Sequence, residues 1–167
     1  ELRNWRTDYY AEVADYAIRE MGMQVVLSGG PSELEKKTGE TIESLMSAPC
    51  LNLVGKDTLE QSKAMLKRAD LVISPDSGPA HIASAVGTPV IGLYAATWSH
   101  RSGPYNSLDL CVDRFEEAAR EFRNKEARDL RWGTRIEEPG VMDLIKPADV
   151  IERLQAWRES PMAAKAF

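Results

Sequence analysis

The chain has 167 residues, 43% of them hydrophobic and 28% charged, and carries a formal net charge of −5. That length suits one domain with a real core and is too short for two large ones, while the acidic balance argues against a nucleic-acid surface, whose usual footprint is a basic stripe. Two cysteines (Cys50, Cys111) and two histidines (His81, His100) are too few for a disulfide framework or a structural zinc site, and no apolar run approaches the ~20 residues of a membrane span.

Tyr10, Val13, Ala14, Ala17, Ile18 and Met21 recur at three- and four-residue spacing, which predicts an amphipathic helix over 7–21 stopped by Gly22. The chain begins at Glu1 rather than Met with that helix already complete, so a longer parent protein is expected. A β-branched strand follows at 24–27 and ends in Ser28-Gly29-Gly30. Ser32 with Glu35 then reads as a capping box that opens a helix to about Met46. The pattern repeats at once: a strand at 51–54, the turn Gly55-Lys56-Asp57, and Thr58 with Gln61 capping a helix to about Arg68. Next come a strand at 71–74, a helix at 78–86, the turn Gly87-Thr88 and a strand at 89–93. Short apolar strands alternating with helices predict an α/β fold with a parallel sheet flanked by helices. Residues 114–131 are crowded with charge and read as a solvated helix, 132–140 as an irregular loop, and 147–157 as a final helix before a small-residue tail.

In a parallel sheet, ligands gather at the carboxyl ends of the strands. The loops 28–32, 55–58, 76–81 and 94–103 are therefore expected on one rim. The most informative of them is Ser74-Pro75-Asp76-Ser77-Gly78-Pro79-Ala80-His81, set between a buried strand and a small-residue helix. Asp76, Ser77 and Gly78 supply turn and N-cap chemistry, and Pro79 suits the first helical turn. Free N–H groups and the positive end of the helix dipole then face outward, where an anion can dock, so the run reads as a phosphate site.

Three segments together resemble the C-terminal half of the ADP-heptose:lipopolysaccharide heptosyltransferase family, glycosyltransferase family 9. They are Gly55-Lys56-Asp57-Thr58-Leu59-Glu60-Gln61, the stretch 69–85 around Asp76-Ser77-Gly78-Pro79-Ala80-His81, and Gly87-Thr88-Pro89-Val90-Ile91-Gly92-Leu93-Tyr94. The similarity runs from about Trp5 to about Leu154. It implies one half of a glycosyltransferase B fold, in which two Rossmann-like halves face each other across a cleft. The N-terminal half receives the acceptor and the C-terminal half holds the nucleotide-sugar donor. The resemblance thus implies a donor-binding domain over 1–158, a flexible tail at 159–167 and an N-terminal acceptor domain outside this chain.

Carried over position by position, the resemblance implies that the Ser77 and Gly78 N–H groups, in the turn completed by Pro79, bind the donor diphosphate. Asp76 would hold a sugar hydroxyl or fix the turn. His81 and Arg3 would offset charge on the leaving group. Glu35, or in its place Glu33, matches a ribose-binding acidic position, although Glu35 also serves the capping box. The turn at Lys56 and Asp57 would lie near the adenine. Thr97 stays in register in the sugar pocket, but Ala95-Ala96 stands where the family has Gly-Pro or Gly-Ser, losing the close backbone approach that glycine permits. Trp98, His100 and Arg101 share that loop, as sugar contacts or as plain surface residues.

The implied activity is inverting transfer of heptose from ADP-heptose to the lipopolysaccharide inner core, without a metal cofactor. The general base would lie in the acceptor half, so this chain is expected to bind donor or ADP without turnover. The implied location is the bacterial cytoplasm, with at most peripheral contact at the inner face of the membrane. Two rivals use the same residues: a UDP-sugar transferase or epimerase on this scaffold, and a nucleotide-binding module without catalysis. The Gly-x-x-x-x-Gly-Lys-Ser/Thr pattern of a P-loop kinase is absent.

Overall fold

The computed structural model describes residues 2–161 and 163. Within the span read as one donor-binding domain, the chain forms two compact units, one built from residues 6–64 and one from residues 1–5 together with 65–167.

The smaller unit begins with α1 (Thr7–Met21), which buries Ala11, Val13, Ala14, Ala17 and Met21 and stops where predicted. Gly22 takes the left-handed conformation (φ 66°), which only glycine adopts freely, and its N–H closes the helix onto the Ala17 and Ile18 carbonyls. Next come β1 (Val26–Leu27), α2 (Glu33–Leu45) and β2 (Leu51–Asn52). β1 and β2 pair in parallel, with Val26 opposite Leu51. The regular strands are shorter than the sequence suggests. The backbone pairing nevertheless continues on both sides of them, from Leu51 N–H to Val25 O (3.0 Å) through Gly55 N–H to Gly29 O (3.0 Å). That ladder carries the turns after both strands to the same end of the pair.

α3 (Leu59–Arg68) leads from one unit into the other. Its start is a reciprocal capping box, with Thr58 N–H donating to Gln61 Oε1 (2.8 Å) and Gln61 N–H to Thr58 Oγ1 (3.3 Å).

The larger unit holds a parallel sheet of three strands in the order β3 (Val72–Pro75), β4 (Val90–Tyr94), β5 (Val112–Asp113). Val72 to Pro75 face Val90 to Leu93, and Leu93 and Tyr94 face Val112 and Asp113. Every residue of the central strand β4 is buried. Gly92 is obligatory there, because a Cβ would fall 2.5 Å from the Tyr94 ring and 3.0 Å from Cys111 Sγ. α4 (Gly78–Ala85) buries Ala80 and Ala83, which form a core with Leu66 and Val90, joined by Val72 and Ile82. Small residues on that face let the helix lie close to the sheet.

After β4 come the single-turn α5 (Ser99–Ser102), then α6 (Phe115–Arg123) and α7 (Pro147–Glu159). Two expectations are corrected here. The five strands lie in two separate parallel ladders instead of one sheet. The charged stretch 114–131 is no single solvated helix: α6 buries Phe115, Ala118 and Ala119, ends on left-handed Asn124 (φ 51°), and gives way to a 3-10 turn at Ala127–Asp129. The loop 132–140 is irregular, as expected, but it is tied down by buried Ile136, whose N–H donates to Ala96 O (2.8 Å). Trp5 anchors the N-terminal residues by donating from Nε1 to Ile145 O (2.9 Å). Of the tail expected from residue 159, residues 162 and 164–167 lie outside the described residues. Glu159 closes α7, Ser160 Oγ donates to Trp157 O (2.6 Å), and Ala163 is buried.

Candidate functional site

In the larger unit the site is built on the turn from β3 into α4. Ser77 occupies the N-cap position with extended backbone (φ −150°, ψ 166°), but its hydroxyl does not cap the helix. It pairs instead with Ser74 Oγ (2.8 Å), which also donates to Pro75 O (3.1 Å). This corrects the simple capping expectation in a useful direction. A serine that turns away leaves the first-turn N–H groups of α4 without the acceptor a cap normally provides. Pro79 sits in that first turn, where its missing N–H is no loss. Beside Gly78, on the side a Cβ would take, there is open space, with nothing within 4 Å. A helix start without a side-chain cap, with open space beside its first residue, is suited to an oxyanion.

Beside it, Asp76 is largely buried, and its two carboxylate oxygens have different partners. One lies 3.3 Å from His81 Nε2 and the other accepts from Ser102 Oγ at 3.0 Å. His81, one turn into α4, is half exposed and held by that contact. Ser102 is itself fixed, because Tyr94 Oη donates to its carbonyl (3.0 Å). Burial pushes the Tyr94 hydroxyl well above its ordinary pKa, and the Asp76 charge adds to the effect, so Tyr94 stays a neutral donor. The order Tyr94, Ser102, Asp76, His81 therefore ties the end of β4 and the α5 loop to the helix start.

Thr97, expected to line the sugar pocket, is only 2% exposed, and Ala95 and Ala96 beside it are buried as well. Arg3 reaches Glu137 (3.3 Å), next to the Ile136 that bonds Ala96. No contact joins Arg3 to the Asp76–His81 turn among the described residues. Cys111 is buried and its thiol is pushed up to about 12 by that burial, so it supplies no nucleophile near neutral pH.

The smaller unit holds the other predicted residues. Glu35 accepts from Gly30 N–H (3.0 Å) and from Ser32 Oγ (2.7 Å), while Ser32 Oγ accepts from Glu35 N–H (3.3 Å). Its carboxylate thus braces the glycine turn and, with about four lone-pair sites, keeps acceptor capacity to spare. Glu33 points to solvent and pairs with Lys36 (2.9 Å). The neighbouring turn is closed by Lys56 Nζ donating to Asn52 O (2.7 Å), and the Lys36 stem lies over Gly55, 2.9 Å from where a Cβ would stand. Asp57 Oδ2 is buried without a donor among the described residues, an unused acceptor inside the turn.

Sequence reasoning therefore anticipated Asp76, Ser77, Gly78 and His81 as one cluster, and the glycine turn with Glu35 as another. It missed Ser102, which carries no motif, and whose place in the loop after β4 was its one available signal.

Residues 2–130 match the family described as Glycosyltransferase family 9 (heptosyltransferase). The chain is 39% identical over 153 residues to the lipopolysaccharide core heptosyltransferase OpsX of Haemophilus influenzae, an alignment covering 92% of this chain and 44% of that protein. It is 39% identical over 94 residues to lipopolysaccharide heptosyltransferase 3 of Escherichia coli K12, covering 56% of this chain and 27% of that one. Two solved structures superpose on 98% of the chain and 43% of their own length, each with a TM-score of 0.70. One is the glycosyl transferase family 9 protein from Veillonella parvula DSM 2008, 21% identical. The other is E. coli ADP-heptose lps heptosyltransferase II, 23% identical. The chain thus spans less than half the length of the relatives it matches.

Proposed function

Because the chain belongs to glycosyltransferase family 9, the heptosyltransferases, we propose that it is the donor-binding half of an enzyme that transfers heptose from ADP-heptose to the lipopolysaccharide inner core with inversion. In this reading the acceptor half and the general base lie elsewhere in the protein, which acts on the cytoplasmic side of the membrane. No helix among the described residues is long and apolar enough to cross a membrane.

The observation that carries the proposal is the start of α4, left without a side-chain cap and open beside Gly78, with Asp76 and His81 locked beside it. The donor diphosphate docks on the Ser77 and Gly78 N–H groups. As the anomeric C–O bond breaks, negative charge grows on the ADP oxygen, and donors already aimed at it favour that state over the ground state. Asp76 acts mainly by position: with both oxygens engaged, it holds His81 toward the helix start and fixes the α5 loop. Arg3 adds positive charge once it exchanges Glu137 for phosphate. Taken by itself, the smaller unit offers the spare lone pairs of Glu35, which suit a pair of sugar hydroxyls. The diphosphate charge is met by N–H groups and side chains, so this reading assigns no step to a divalent metal.

Calorimetric titration of the folded chain with ADP, with UDP and ADP plus magnesium for comparison, tests this. ADP is expected to bind without magnesium and more tightly than UDP, and Asp76→Ala or His81→Ala to weaken it by about tenfold, on the order of 1.4 kcal/mol. Preference for UDP would move the assignment to a UDP-sugar enzyme. Silence from every nucleotide with a folded chain would favour a module without a donor site.

A further inference from the structure

In the larger unit, α5 is a single turn, too short to stand on its own hydrogen bonds, and its place is set from outside. Three side chains hold it, one from the carboxyl end of each strand of the sheet. Asp113, the last residue of β5, accepts from the Ser99 N–H at 2.9 Å. Tyr94, the last residue of β4, donates from Oη to the Ser102 carbonyl at 3.0 Å. Asp76, next after β3, accepts from Ser102 Oγ at 3.0 Å. Gly103, which ends the turn, leaves no slack, because a Cβ there would fall 2.5 Å from Leu108 Cδ2 and 2.6 Å from Ser99 O. The Ser102 hydroxyl is thus delivered to one fixed place on the rim of the sheet.

That place matters because of what Asp76 does not do. It directly precedes the N-cap residue Ser77, where the positive end of α4 attracts a carboxylate and its N–H groups could donate to one. Yet neither oxygen accepts from an N–H of α4 among the described residues. One accepts from Ser102 Oγ, and the other lies 3.3 Å from His81 Nε2. The outer torsion of an aspartate is soft, so a carboxylate with one partner swings, whereas partners on both oxygens fix its plane. The Asp76 side chain is only 11% exposed, so an oxygen deprived of Ser102 finds little water and turns to the N–H groups that start α4. The His81 contact depends on the same plane. A nitrogen lone pair facing a carboxylate oxygen is repelled, so a neutral His81 carries its proton on Nε2 while Asp76 is held.

We propose that Ser102 is a positioning residue for the donor site: it holds the Asp76 carboxylate off the start of α4, leaving those N–H groups open to an oxyanion, and keeps the other oxygen on His81. The proposal rests on the reading of this turn as the diphosphate site. Ser102 acts through Asp76, since its hydroxyl makes no other hydrogen bond among the described residues.

Ser102→Ala and Ser102→Thr, each made in the parent chain and in Asp76→Ala, test this with two readouts on the intact chain. The first needs no nucleotide: nitrogen NMR of the His81 ring at mildly alkaline pH, its signals identified by their loss in His81→Ala. The parent is expected to show the proton on Nε2, Ser102→Ala to move the nitrogen shifts toward those of free histidine, and Ser102→Thr, which keeps the hydroxyl, to restore them. The second is calorimetry with ADP. Ser102→Ala is expected to weaken binding at least about threefold and Ser102→Thr to stay within about twofold of the parent, whereas in Asp76→Ala the Ser102→Ala change adds nothing further. Mere loosening of α5 would weaken ADP in both backgrounds and leave the His81 ring as it was. The proposal is overturned if Ser102→Ala leaves either readout unchanged, if Ser102→Thr fails to restore it, or if the loss of affinity persists in full in Asp76→Ala. Should the parent bind no ADP, the donor reading falls and the ring nitrogens alone decide: an unchanged His81 spectrum in Ser102→Ala overturns the positioning role, and a shifted one supports it.

Discussion

Asp76 is the residue on which the site turns, because a single carboxylate joins two elements that are far apart in sequence. His81 comes from α4 and Ser102 from α5, and each takes one oxygen. Removing one partner of a mostly buried pair leaves the other without its bond, which costs about 1–3 kcal/mol. Asp76→Ala should therefore destabilise the chain by about 1–2 kcal/mol in urea unfolding, and Ser102→Ala by about 1 kcal/mol. The double variant should cost clearly less than the sum, since both remove the same bond. Strict additivity would show that the Asp76–Ser102 bond adds nothing in solution. The Asp76–His81 proximity was legible in the sequence, where both residues sit in one motif. The bond to Ser102 was not, because it spans 26 positions and depends on where β4 delivers the loop.

At the scale of the element, local chemistry decided most of what could be read in advance. Gly22 as a helix stop acts through its own backbone, the Thr58/Gln61 capping box and the Ser32 cap through side chains three residues from the N–H groups they satisfy, and all were legible. What escaped was set by distant contacts. β5 has only two paired residues, and its partners are Leu93 and Tyr94. α6 looked solvated because charge outnumbers its apolar residues, yet it places Phe115, Ala118 and Ala119 on one buried stripe. Ser77 stands at the N-cap of α4, as the turn chemistry suggests, but its hydroxyl bonds Ser74 of the preceding strand instead of a helix N–H, a partner that local pattern does not reveal.

Another such tie links α1 to the segment after α2, where the Asp15 carboxylate accepts from the Ser47 and Ala48 N–H groups and from Ser47 Oγ. Burial pushes this carboxyl up, but those bonds outweigh it and leave its pKa below the ordinary value. Since the folded pKa is lower than the unfolded one, near ~3.9, the contribution is fully present above that pH and is lost as pH falls through the folded value. Asp15→Ala should cost about 1 kcal/mol at pH 7, with the gap to the parent chain closing in urea unfolding below about pH 4. A gap that persists unchanged into acid would show that the carboxylate charge is not what holds the segment.

For the molecule as a whole, parallel ladders flanked by helices agree with membership of glycosyltransferase family 9. The α/β class was legible because buried parallel strands read as short apolar runs between helices. The division into two ladders was not, since the pairing of strands leaves no mark in their local pattern. The chemistry proposed here asks only that the helix start in one of these units accept a diphosphate.

The most direct measurement is an amide-resolved NMR titration of the isotopically labelled chain with ADP. Saturable shifts are expected, largest at the Ser77 and Gly78 amides, with His81 following and with the shifts reduced in Asp76→Ala. Saturable binding that leaves Ser77 and Gly78 unmoved while other amides shift would contradict docking at this turn.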